Sequence, residues 1–230
     1  MSTFVRRRLT CTGCGRRFAA ALLEGIHITR LPDVRKQLLE GSFQHFTCPH
    51  CKKPHHIQNS AVYTDFERGH YIAVEPELAW GVSVQRAHHQ RVFAQSFDQG
   101  PPIAQELAQR FSCRLVDGHA ALREKLLLWD AGFDDYVVEG LKLDAQREKG
   151  LSPGAERWVV SAVLPGDHLL MARLSRVDPE KTAPLHHAPV LLGHETLLQT
   201  RYLERLTRRA ELLSQWPTLA TDWLVDAAYL

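Results

Sequence analysis

The sequence lacks the features that mark membrane, secreted and fibrous proteins. No stretch of the 230 residues approaches the roughly 18 consecutive apolar residues that a membrane helix requires. The N-terminus carries arginines without an apolar segment after them, so we expect no secretory signal. Low-complexity tracts are also missing, and the apolar fraction of 44% with 23% charged residues is typical of a globular chain. These observations predict a cytoplasmic protein with no membrane partner.

Signatures of common active sites are missing as well. No glycine run leads into a Gly-Lys-Ser/Thr segment, so the sequence has no phosphate-binding loop. The histidine pairs 88–89 and 186–187 lack the spacing of hydrolytic zinc sites, and they are typical of exposed loops. Cys113 lies in an apolar stretch and is expected to be a small buried residue. Helix starts and solvent-facing charges explain the clustered acidic residues Glu124, Asp134, Asp135 and Glu139. We therefore expect no enzymatic activity.

The cysteines form a pattern that indicates a metal site. Cys11 and Cys14 make one CxxC pair, and Cys48 and Cys51 make another. Two such pairs are typical of a four-thiolate Zn²⁺ site, because each tight turn aims two sulfurs at one point. The 33 residues between Cys14 and Cys48 exceed the roughly 15–20 of a minimal zinc ribbon. The sequence therefore predicts zinc as the cofactor and an insertion between the two CxxC turns, which we call the knuckles.

Two other interpretations of the cysteines remain open. Structural disulfides would need an oxidising compartment, which the expected cytoplasmic location does not offer. Cys48-Pro-His-Cys51 also has the form of a redox motif of thioredoxin-fold proteins. That chemistry needs the first cysteine at a helix N-terminus. Pro54 is poorly placed for such a helix, and the residues after it alternate like a strand.

The pattern of apolar residues predicts an α+β protein in two regions. The first region, 1–76, is expected to be a four-cysteine zinc ribbon with a short helical insertion over 34–40. The second region, 77–230, is expected to be a mixture of helices and a β-hairpin. Strands are predicted over 4–10, 43–47, 56–62, 70–74, 113–116, 158–164 and 168–174. Residues 18–28 are expected to form a strand or a hairpin, with a break at Gly25. Further helices are predicted over 103–111, on either side of 130–132, over 195–216 and over 218–230.

Three segments together resemble the CpXC family, whose members have no assigned function. The first is 9–18, although a threonine follows Cys11 where the family usually has proline. The second runs from Leu39-Glu40-Gly41 through the second knuckle to Tyr71-Ile-Ala-Val-Glu-Pro76. The third includes Arg114-Leu-Val-Asp117, Leu122-Arg-Glu-Lys-Leu126 and Ala131-Gly-Phe-Asp-Asp135. The resemblance, over roughly 9–145, implies a metal-binding, non-catalytic module and gives no reaction.

Charge is distributed unevenly and suggests a second function. Residues 1–60 hold ten Lys/Arg against three Asp/Glu, a balance of +7, whereas the other 170 residues hold eighteen against twenty-three, a balance of −5. Basic side chains that share one face could contact phosphates. Those that flank the knuckles are Arg6, Arg7, Arg8, Arg16, Arg17, Lys52 and Lys53. Aromatic residues for base stacking are few, and thiolates also attract positive charge.

These observations favour one function and leave one alternative. The leading prediction is a zinc-stabilised, non-catalytic adaptor that binds protein partners within a larger assembly. The alternative is a nucleic-acid-binding zinc-ribbon protein that uses the basic N-terminal residues.

Overall fold

The protein has an α+β fold, as the sequence predicts. A computed structural model describes residues 2–76, 78, 81–149, 156–175, 186–187, 191–197, 199–219 and 223–225. The strands are β1 (Thr3–Thr10), β2 (Arg17–His27), β3 (His45–Thr47), β4 (Pro54–Gln58), β5 (Ala61–Asp65), β6 (His70–Val74), β7 (Ser112–Val116), β8 (Glu156–Leu164), β9 (His168–Ser175), β10 (His186–His187), β11 (Leu191–Leu197) and β12 (Trp223–Val225). The α-helices are α1 (Pro32–Glu40), α2 (Val82–Phe93), α3 (Pro102–Ala108), α4 (Gly118–Asp130), α5 (Asp135–Glu148), α6 (Gln199–Thr207) and α7 (Arg209–Gln215). None of these helices is both long and apolar enough to cross a membrane.

Three sheets organise the described residues. The largest has the strand order β1-β2-β5-β6-β7-β12, and two smaller sheets have the orders β10-β4-β3 and β11-β9-β8. In the large sheet β6 pairs in parallel with β7, and β7 pairs in parallel with β12. The two regions expected from the sequence, 1–76 and 77–230, therefore contribute strands to one sheet.

The helical insertion between the knuckles is α1, which begins two residues before its predicted start. Pro32 occupies its first turn, where a missing N–H costs little. Gly41 ends the helix at φ 74°, and its N–H donates to the carbonyls of Gln37 and Leu38. Val34 and Leu38 are buried. The helix thus packs its apolar face against the large sheet.

Two clusters form most of the described core. The first joins α1 and α4 to the large sheet and includes Leu38, Tyr63, Ile72, Leu122 and Leu126. The second lies under the β8–β9 hairpin and joins it to α5 and the C-terminal helices; it includes Leu128, Val138, Trp158, Met171 and Leu212. Since α4 contributes to both clusters, it connects the large sheet with the C-terminal part of the protein.

Some predicted elements are wrong, and sheet pairing explains the differences. The break expected at Gly25 does not occur, because Gly25 pairs with Thr3 on one side and Val62 on the other. The helix predicted over 195–216 starts only at Gln199, since Glu195 pairs with Met171 of β9. The helix predicted over 218–230 is contradicted at β12, which pairs with β7. Residues 220–222 and 226–230 lie outside the described residues.

Candidate metal centre

The two CxxC pairs occupy two similar hairpin turns. Cys11 and Cys14 lie between β1 and β2, and Cys48 and Cys51 lie between β3 and β4. In each turn the first cysteine donates its N–H to the carbonyl five residues on, and its carbonyl accepts from the N–H four residues on, all at 2.9 Å. The residue four positions on has a left-handed backbone, with φ 69° at Gly15 and 63° at Lys52. The turns therefore hold the sulfurs in equivalent arrangements.

The four sulfur atoms fit one tetrahedral ion. All four Sγ atoms lie within 4.8 Å of one another. The Cys11–Cys51 pair is 3.4 Å apart and the Cys14–Cys48 pair is 3.8 Å apart. Ligands at about 2.3 Å around zinc would be separated by about 3.8 Å in a tetrahedron. Within the described residues, this is the one group of three or more Cys, His, Asp or Glu side chains that meets this distance criterion.

Hydrogen bonds prepare the cluster for negative charge. Burial would raise the pKa of the Cys11 thiol, but hydrogen bonds from the backbone of Cys14 and Gly13 and from His55 outweigh it and lower this pKa to about 5. His55 Nε2 lies 3.3 Å from Cys11 Sγ. A backbone hydrogen bond from Lys53 lowers the pKa of Cys51, yet its contact with Cys11, burial and the other two thiols together raise it to about 11. Four simultaneous thiolates at neutral pH therefore require a cation.

The geometry does not suit the redox interpretation of the second pair. Cys48 follows β3 and Cys51 precedes β4, so the pair lies in a hairpin turn. A reactive CxxC cysteine gains its low pKa at a helix N-terminus, which is not the position of Cys48. Cys48 is also completely buried. The arrangement favours metal binding over thiol exchange.

Paired knuckles with four converging thiols define a class of metal-binding α+β proteins. Within that class the chain belongs to the CpXC family, since the family model described as CpXC protein matches residues 9–142, more than half of the chain. No curated protein and no solved structure matches the chain. The matched residues include both knuckles and extend through β7 and α4 into α5.

The basic residues near the knuckles are all exposed, but they do not share one face. Across the hairpin, Arg6 pairs with Ala21, Arg8 with Ala19 and Thr10 with Arg17. Every second side chain of a strand lies on the same face, and so do the side chains of paired residues, so Arg6, Arg8 and Arg17 share one face. Arg7 points to the other face and forms an ion pair with Glu24 at 3.1 Å. The other exposed members of the set are Arg16, Lys52 and Lys53. The structure thus places three arginines in one exposed basic face: Arg6, Arg8 and Arg17.

A buried ion network was not expected from the sequence. Glu124, Asp135 and Glu139 were expected at helix starts or facing solvent, but all three are nearly inaccessible. Among the described residues, three negative and three positive side chains form the network and balance one another: Glu124, Asp135 and Glu139 with Arg114, Lys125 and Lys142. Of the four acidic residues, Asp134 does cap a helix, accepting hydrogen bonds from the N–H groups of Tyr136 and Val137.

The contacts of the network are short and link three elements. Lys125 Nζ lies 2.5 Å from Glu139 Oε1, and Lys142 Nζ lies 2.7 Å from Glu124 Oε1 and from Glu139 Oε1. Arg114 of β7 donates two hydrogen bonds to Asp135, at 2.6 and 2.9 Å. Burial alone would raise the pKa of Glu139, but the two lysines lower it to about 2. The network therefore joins β7, α4 and α5, and the carboxylates of Asp135 and Glu139 in it are ionised.

The sequence predicts His88 and His89 in an exposed loop, but both lie on α2, and His89 belongs to a second buried polar group. His88 is exposed, but His89 is buried and its Nε2 lies 2.7 Å from Glu75 Oε1. Ser60 Oγ donates to Glu75 Oε2 at 2.5 Å. The carboxylate therefore separates the hydroxyl from the imidazole. A hydrolase triad has the opposite order, with the imidazole between the hydroxyl and the carboxylate.

Proposed function

We propose that the metal is zinc and that its role is structural. The supporting observation is the closed set of four thiols, which fills a tetrahedral coordination shell and leaves no position for a substrate or water. A catalytic zinc site keeps one position open. The ion would join the β1–β2 hairpin to the β3–β4 hairpin. The metal site then supplies stability and no reaction, and we propose that the protein acts as a non-catalytic member of an assembly.

We infer that its partners are proteins and that they bind at the outer edge of β1. This eight-residue strand has one strand neighbour, β2, among the described residues. An unpaired strand edge offers backbone donors and acceptors to an incoming extended segment. Phe4 is 58% exposed on this strand and would supply an apolar contact. Arg6 and Arg8 beside it favour a segment with acidic side chains.

The test is affinity purification of the tagged protein from its own host, with and without nuclease. We expect a defined set of proteins to remain after nuclease treatment. The variant Arg6→Glu/Arg8→Glu should lose this set while keeping its metal. The matched control Arg91→Glu/Arg110→Glu changes two exposed arginines outside the hairpin and should keep the set. Retention of the same proteins by both variants would contradict binding at β1.

Nucleic-acid binding is the second candidate, supported by the exposed face of Arg6, Arg8 and Arg17. Alanines 19 and 21 lie beside these arginines, so no bulky side chain blocks a phosphate backbone. If this candidate is correct, the accompanying proteins should vanish with nuclease. A fluorescent single-stranded oligonucleotide should then bind with an affinity that falls steeply as salt increases. Salt-independent binding would reject it.

A further inference from the structure

A cavity of about 300 Å³ lies where three parts of the protein meet. The end of α1, strand β4, the start of α4 and the C-terminal sheet of β8, β9 and β11 all contribute to its wall. Most of the lining is apolar, and it includes Leu38, Phe43, Val159, Ala172, Leu174 and Leu191. Volume and lining are those of a small-molecule site at the lower end of the usual size range.

His119 is the most unusual residue of this cavity. It is the second residue of α4 and only 4% exposed, and neither ring nitrogen has a hydrogen-bond partner among the described residues. Its ring lies edge-on to Phe43, with the centroids 4.9 Å apart. Burial lowers the pKa of His119 to about 3, with His56 adding to the effect, so the ring is neutral. A neutral imidazole has one donor and one acceptor. A backbone contact with Asn59 acts on the ring, but neither nitrogen forms a full hydrogen bond, so a bound molecule can supply a partner.

The neighbouring polar groups, in contrast, already have partners. Gln58 Oε1 accepts a hydrogen bond from the backbone N–H of His119 at 2.8 Å. Its amide nitrogen therefore faces His56 Nε2 at 3.2 Å and donates to it, which leaves the proton of His56 on Nδ1. These two residues fix the start of α4. They do not satisfy the ring of His119.

Arg123 brings an uncompensated positive charge to the same cavity. Its Nε donates to the carbonyl of Leu39 at 2.7 Å and its Nη1 to the carbonyl of Ser161 at 2.8 Å. No carboxylate of the described residues pairs with it, and burial alone lowers its pKa. His119 and Arg123 are four residues apart on α4, so both side chains lie on one helix face. The remaining N–H groups of the guanidinium can hold a carboxylate.

A second metal site is a poor explanation of these residues. The described His, Cys, Asp and Glu ligand atoms converge in threes or more only at the four cysteines. His56 and His119 have ring centroids 6.0 Å apart, and His56 Nε2 already accepts from Gln58. An apolar wall would also leave a divalent cation without further ligands. An organic anion matches the wall, the arginine and the imidazole together.

We propose that this cavity binds a small amphipathic carboxylic acid, with its carboxylate on Arg123 and His119 and its apolar body against the leucines and Phe43. The probe is octanoate, titrated calorimetrically into the metal-loaded protein. We expect saturable binding of one molecule per chain. 1-Octanol supplies the apolar chain without the carboxylate, and inorganic phosphate supplies negative charge without the chain. Each should bind at least about tenfold more weakly than octanoate, a difference of about 1.4 kcal/mol.

Two variants and one spectroscopic readout test the assignment. Arg123→Met keeps the apolar stem and should weaken octanoate binding at least about tenfold, roughly the effect of one charge-assisted contact. Arg91→Met, at an exposed site on α2, should bind like the wild type. Since Arg123 also holds two backbone carbonyls, His119→Leu gives an independent test. It removes an unsatisfied ring, so it should raise the melting temperature without octanoate and weaken octanoate binding.

In the wild type, the ¹⁵N resonances of the His119 ring should shift when octanoate is added. No saturable binding of octanoate would overturn the proposal, as would equal binding of 1-octanol or phosphate. Unchanged octanoate affinity in His119→Leu would also overturn it. These outcomes do not depend on whether the partners of β1 are found, so the two proposals can fail separately.

Discussion

The thiolate cluster and the buried ion network both gather charged side chains, and they neutralise them in different ways. At the knuckles four cysteine side chains converge, and all of them are negative when they are thiolates. A cation from outside the chain must balance that charge. Between α4, α5 and β7, three carboxylates face three basic side chains of the described residues, so these side chains balance one another. With the proposed structural ion, the first arrangement would make folding depend on metal supply. The second makes it depend on bringing distant elements together.

The largest loss of stability should come from removing one cysteine of the metal centre. Cys48→Ser removes one ligand from a closed tetrahedron, and structural zinc supplies on the order of 10 kcal/mol in small zinc domains. We expect loss of the metal and unfolding of the two hairpins in residues 1–76, measured by plasma mass spectrometry and thermal melting. Cys113→Ala changes a buried cysteine outside the cluster and should retain the metal. Unchanged metal content and melting in Cys48→Ser would reject the structural role.

The second largest loss of stability should come from removing one carboxylate of the ion network. Glu139→Gln leaves Lys125 and Lys142 without their shared carboxylate inside the protein. Breaking a buried pair in this way costs about 3–5 kcal/mol of unfolding free energy. Chemical denaturation should show this loss with the metal content unchanged. Glu148→Gln breaks an exposed pair with Arg201 and should cost less than about 1 kcal/mol. Equal effects of the two substitutions would contradict the network's importance.

Acid should weaken the network through its carboxylates. The lysines hold the pKa of Glu139 at about 2, below its ordinary 4.5. The unfolded chain therefore binds this proton first, and the stabilisation is complete above about pH 5 and lost as the pH falls toward 2. The difference in unfolding free energy between wild type and Glu139→Gln should shrink over that range. A difference that stays constant down to pH 3 would contradict this assignment.

The smallest effect should come from an ion pair outside both regions. Arg7 and Glu24 are 53% and 38% exposed, and water screens their attraction. Arg7→Gln should change the unfolding free energy by less than about 1 kcal/mol. A double-mutant cycle with Glu24→Gln would measure the coupling. A coupling near that of the buried network would show that exposure does not separate the two classes of pair.

The cluster of four cysteines could be predicted because ligands of a single ion follow a local spacing. Two CxxC turns identify all four cysteines without knowledge of the fold. Strand β7 and the β8–β9 hairpin were also predicted, since their apolar runs are short and bounded by turns. α1 followed from its proline start and glycine end. Each of these signals lies within a few neighbouring residues.

The ion network could not be predicted because its partners come from separate elements. Glu124 and Lys125 belong to α4, whereas Glu139 and Lys142 belong to α5. A charge beside an apolar residue on a helix is usually solvated, and the packing of α5 and β8 against α4 buries these four. One signal was present, since Glu139 and Lys142 are three residues apart within an apolar run. The same reason explains His89, whose partner Glu75 follows a strand of the large sheet.

Strand β12 has a consequence for the order in which the chain can fold during synthesis. The knuckles are complete once residue 51 has left the ribosome, so the metal can bind early. β12 pairs with residues 113–115, which are made 110 residues before it. Until then β7 is an open, apolar edge strand, and Trp223 is missing from its cluster with Tyr71 and Phe93. The growing chain therefore exposes one edge of β7 until β12 is made, whereas the proposed structural metal could join the N-terminal hairpins much earlier.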